Sequence, residues 1–88
     1  MPKTIAAPIL AARRQRDLWY SRIEQAPGLS PEWLRAMVNA ATWHAIAYPD
    51  QAPRLARILA PLMAYAEPDL QRRAAGLAVR PLAEVATP

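Results

Sequence analysis

Residues 27–37 read PGLSPEWLRAM, and the fold turns on whether they begin a helix. Pro27-Gly28 is a breaker pair, and Gly28 accepts the left-handed backbone with which helices often end. Ser30 suits an N-cap, because its hydroxyl accepts a bond from a first-turn N–H that no helix carbonyl reaches. Pro31 lacks only an N–H that would go unpaired there, and Glu32 sits beside the positive end of the helix dipole. The spacing predicts a helix from Pro31 to about Ala47, closed by Tyr48-Pro49-Asp50. Glu32, Arg35, Asn39 and Thr42 form one narrow polar strip on it, while Trp33, Leu34, Met37, Val38, Ala40, Ala41, Ala45 and Tyr48 fill most of the remaining arc. A helix apolar over so wide an arc belongs in the middle of a bundle or partly beneath a partner.

Working outward, the segment before the turn predicts a helix from about Pro8 to Gln25, with Ile9, Ala12, Trp19, Ile23 and Ala26 on one side. Arg13 and Asp17 stand four residues apart and can pair. Arg16 projects into the apolar sector, which predicts a guanidinium stacked on Trp19 or Tyr20. After the turn at Pro49, Asp50 is the expected cap of a third helix with Pro53 in its first turn. Its stripe is Leu55, Ile58, Leu59, Leu62, Met63 and Ala66. Pro61 falls on the wet face, predicting a bend rather than an end. Glu67-Pro68-Asp69 opens a short fourth helix with Leu70, Ala74 and Leu77 as its contact face, Asp69 paired to Arg72 or Arg73, and Gly76 as its stop.

The expected fold is therefore all-α. Residues 1–77 form a small single-domain bundle of three main helices plus a short fourth, and residues 78–88 form a C-terminal tail, extended or with one helical turn. Composition agrees: 10 prolines against 2 glycines, abundant alanine and no phenylalanine favour short helices with rigid joints over a sheet. With no cysteine, disulfides are excluded and stability must come from packing. One lysine beside ten arginines in an alanine-rich chain predicts a GC-rich bacterial or phage genome.

The net charge of +4 is unevenly placed. Lys3, Arg13, Arg14 and Arg16 precede any acid, and from Asp17 onward seven arginines meet seven carboxylates. No stretch is long enough to span a bilayer. The apolar run Ile5–Ala12 precedes its basic cluster, the reverse of a signal peptide, so a cytoplasmic protein without a membrane partner is expected.

Catalysis has little to work with. His44 is the single histidine, it falls on the apolar side of its helix, and no nucleophile or carboxylate neighbours it in sequence. The expectation is a non-enzymatic protein with no cofactor and no metal: one histidine and scattered acids do not make a ligand set, and no glycine-rich loop is present to cradle a phosphate.

Binding has more. Residues 19–37 scan as helix, turn, helix, and Ile23, Leu29, Leu34 and Met37 occupy the apolar positions of a DNA-reading helix-turn-helix aligned on Gly28. Glu24 and Pro27 depart from that pattern. In this reading Ser30, Arg35 and Asn39 face bases, supported by Arg13 and Arg14 on phosphates. A docking surface for a protein draws on other residues. Trp, Tyr and Arg are enriched at binding hot spots, and the basic helix carries Arg13, Arg14, Arg16 and Tyr20, with Trp33 or Trp43 as an apolar anchor. The leading expectation is a small binding protein (inhibitor, adaptor or assembly factor) docking on a protein through that surface. The alternative is a DNA-binding regulator, and a third reading is a self-associating homo-oligomeric subunit, since three short helices hardly cover the broad apolar arc.

Overall fold

In the computed structural model, residues 7–77 are described and are all-α. Helix α1 spans Ala7–Gln25 and α2 spans Pro31–Ala47. A single 3-10 turn, Pro49–Gln51, leads into α3, Ala52–Leu59. A second 3-10 stretch, Ala60–Tyr65, leads to α4, Pro68–Gly76. Residues 78–88, read from sequence as a tail, lie outside the described residues.

The start of α2 follows the capping logic. Ser30 is extended and its Oγ accepts from the Trp33 N–H at 3.2 Å, Pro31 takes the first helical position and Glu32 lies in the first turn. The turn before it corrects the reading of Gly28. The Ser30 N–H bonds the Pro27 carbonyl at 3.1 Å, and the residue with positive φ is Leu29, at 63°. The glycine sits one position early: the third residue of such a turn is the one that must turn left-handed.

Two further expectations are corrected. The α-helix ends at Leu59 instead of bending through Pro61; the chain tightens into 3-10 geometry because Pro61 offers no N–H to continue the helical ladder. Gln71 closes that segment, its amide donating to the carbonyls of Met63 at 2.8 Å and Ala66 at 3.0 Å. Asp50 lies inside the 3-10 turn, and the residue preceding α3 is Gln51, whose side chain makes no capping bond. In the fourth helix Asp69 pairs with Arg72 and Leu70, Ala74 and Leu77 are buried as expected, while Gly76 is the last helical residue and has no positive φ, so it does not end the helix as a left-handed cap.

Helix α2 is the centre of the molecule and buries two faces. Leu34, Val38, Ala41 and Ala45 join Ala52, Leu59, Met63, Leu70, Ala74 and Leu77 in one core under α3 and α4. Leu34, Leu59, Leu77 and Val38 are fully enclosed, each worth about 2 kcal/mol in apolar burial. Ala36, Ala40 and Ala47 are buried apart from that core, on the side where α1 packs, and Ala12 is the buried residue of α1. Helix α1 thus lies antiparallel along α2 over a seam of alanines, which lets the two backbones approach closely. Its packing is almost entirely with α2.

Candidate interaction surface

At 100° per residue, the alanine seam sorts the side chains of α1. Ala12, Arg16, Trp19 and Ile23 point toward α2; Arg13 and Tyr20 share one flank; Arg14 points away from α2. Exposure follows: Arg13 is half-buried, Arg14 exposed and Tyr20 45% exposed. Neither Arg13 nor Arg14 has a hydrogen-bonding or ionic partner among the described residues.

Arg16 is held inward. Its side chain is 15% exposed. Its guanidinium reaches the Asp17 carboxylate at 3.0 Å and His44 Nδ1 at 3.1 Å, and lies 5.7 Å from the centre of the Tyr20 ring. Asp17 therefore pairs with its neighbour Arg16, not with Arg13. Since Arg16 can only donate, Nδ1 of His44 accepts, and the ring proton resides on Nε2, 2.7 Å from the Oε1 of Gln51. His44 also lies against Tyr48, ring centres 4.9 Å apart. It is half-buried with both nitrogens bonded, and it positions Arg16.

The three residues of the DNA reading are all engaged within the molecule. Ser30 caps α2. Arg35 pairs with Glu67 at 3.0 Å, and Asn39 accepts a bond from Arg73 of α4. Arg35 and Asn39 thus fasten α2 to the start and the middle of α4 on the exposed side of the core.

The tryptophans are all half-buried. Trp33 packs against the core cluster, and Trp43 lies farther along α2. Trp19 carries the guanidinium of Arg22 at 4.4 Å from the ring centre. Sequence reasoning misses this stacking, although the i,i+3 spacing of Trp19 and Arg22 is a legible cue. Together with Pro27, Pro31, Glu32 and Arg35, they border an open depression at the hairpin end. Both arginines there are already occupied, one on Trp19 and one on Glu67.

Among the described residues no three His, Asp or Glu side chains come together as a metal site, and no helix is long and apolar enough to cross a membrane. What the arrangement offers chemically is an outer side of α1 that is basic at Arg13 and Arg14, partly apolar at Leu18 and Tyr20, and backed by α2. No protein-family model, curated protein or solved structure matches the chain.

Proposed function

We propose that this chain is a small, non-enzymatic, cytoplasmic binding protein of a bacterium or its phage or plasmid. In this reading it works as an inhibitor, adaptor or assembly factor that docks the outer side of α1 onto a larger protein. The observation that carries the reading is the state of α1. One face rests on α2, while Arg13 and Arg14 lack partners among the described residues and Leu18 and Tyr20 stand 59% and 45% exposed. Arginine and tyrosine exposed along one supported helix are residue types enriched at interface hot spots. Arg16, pinned by His44 and Asp17, holds Tyr20 from beneath and contributes orientation more than reach. Trp43 is the apolar anchor better suited to this surface, since Trp33 is packed on the core.

Duplex DNA is the competing partner, and it would have to draw Arg35 and Asn39 away from Glu67 and Arg73. One experiment scores both. Tagged wild-type chain is used to capture partners from a native lysate, with and without nuclease, beside an Arg13→Glu/Arg14→Glu variant. A stoichiometric protein partner that survives nuclease and is lost with the variant is the expected result. Unchanged capture by the variant, or capture that disappears with nuclease, overturns the reading. Folding of the variant is checked by its helical circular dichroism, which should match the wild type because Arg14 is exposed and the half-buried Arg13 has no partner among the described residues to lose.

A further inference from the structure

Helices α1 and α3 flank α2 without closing over it, and an apolar cleft remains between them. Tyr20 and Ile23 form its α1 wall, Leu55 and Ile58 its α3 wall, and Met37 and Ala40 lie in its floor. No charged side chain lines it. Tyr20 is 45% and Ile58 52% exposed, a large apolar presentation for a wall that faces water. The cleft holds about 100 Å³, the space of about three waters, enough for an aliphatic side chain and too small for a helix.

The rims are charged, and with opposite signs. Asp17 and Glu24 stand three residues before and four after Tyr20, so they share its side of α1. Arg54 stands four residues before Ile58 on α3 and shares its side, and Arg57, three residues after Arg54, lies beside it one step farther from the cleft. Asp17, Glu24, Arg54 and Arg57 are all exposed. Glu24, Arg54 and Arg57 have no ionic partner among the described residues, and Asp17 pairs with Arg16. Arg13 continues the α1 strip, but two turns before Tyr20, about 10 Å along the axis and past the cleft.

We propose that this face binds a second copy of the chain about a two-fold axis running along the cleft. Rotation about that axis lays α1 of each copy over α3 of the other. The acidic rim of one then meets the basic rim of its mate, twice by symmetry, while the Tyr20 and Ile58 walls close on each other. A two-fold interface must be self-complementary in this way. A uniformly acidic partner, protein or nucleic acid, would meet Asp17 and Glu24 along half of the face. The inference does not rest on Arg13 or Arg14, so it stands or falls separately from the docking surface above, with which it shares Tyr20.

The test is the mass of the full chain in solution, measured by sedimentation equilibrium from about 1 μM to about 1 mM. The mass is expected to rise from one chain to two. Ile58→Glu should hold it at one chain with unchanged helical circular dichroism. Arg54→Glu/Arg57→Glu makes both rims acidic and Asp17→Arg/Glu24→Arg makes both basic, so each variant alone should dimerise at least about tenfold more weakly. Mixed in equal amounts, the two should form a heterodimer, because every rim then meets its opposite. A wild-type chain monomeric throughout, a dimer indifferent to Ile58→Glu, or charge-reversed variants that fail to combine would each overturn the proposal.

Discussion

Arg16 of α1 and His44 of α2, 28 residues apart, are joined by a bond in which the guanidinium donates to the imidazole Nδ1 at 3.1 Å. The pairing assigns the histidine its tautomer, since the atom facing a pure donor must carry a lone pair. It also explains how an arginine sits at the inner face of a helix without an acid beneath it.

The first prediction follows from that pair. Two-bond ¹⁵N–¹H spectra of the neutral His44 ring should show Nε2 protonated and Nδ1 bare. In a double-mutant cycle of Arg16→Ala and His44→Ala, read by urea unfolding, the coupling should be about 1 kcal/mol. Additive losses would mean that the bond contributes nothing.

A second prediction concerns the turn between α1 and α2. Leu29 has φ 63°, in a region that costs a side chain with a Cβ about 1 kcal/mol or more. Leu29→Gly should therefore stabilise the protein by about 1 kcal/mol, less the little packing given up by a side chain already 46% exposed. Gly28→Ala should be neutral or stabilising by a few tenths of a kcal/mol, about what the reduced freedom of the unfolded chain provides, since its φ is not positive and a Cβ there would meet nothing within 4 Å. Thermal melts of the two variants separate this from a turn built on a left-handed Gly28, which requires the opposite order.

Capping supplies the third. Ser30→Ala removes the acceptor of the Trp33 N–H and should cost about 1 kcal/mol in chemical denaturation. Asp50→Ala should change stability by less than about 0.5 kcal/mol, because that carboxylate caps nothing. Equal losses at the two positions would restore Asp50 as a cap.

Local chemistry made much of this fold legible. Ser30-Pro31-Glu32 announces its helix because a cap, a missing N–H and a charge act within one turn, and the α2 boundaries read from sequence are those observed. Leu70, Ala74 and Leu77 were legible for the same reason, as positions on one short face. Three features were not. Which residue of Pro27–Ser30 turns left-handed depends on how α1 and α2 must meet, and that demand overrides the preference of Gly28. Whether Pro61 bends or ends a helix depends on what holds the chain that follows it, here the Gln71 amide that ties down the Met63 and Ala66 carbonyls. The candidate surface was legible as residue types and not as arrangement. Nothing local says that Arg16 turns inward to His44, that Arg35 meets Glu67 from 32 residues away, or that Arg73 takes Asn39.

The alanine seam has one more consequence. Among the described residues of α1 only Ala12 is buried, so the helix leaves α2 at far less cost than unfolding the core around Val38. Its amides should be the first of the four helices to trade hydrogen for deuterium. Any molecule that grips α1 from outside must slow that trade in proportion to its free concentration over its dissociation constant. The first helix is thus its own gauge: the protection of its amides reports occupancy of this surface, whatever the occupant proves to be.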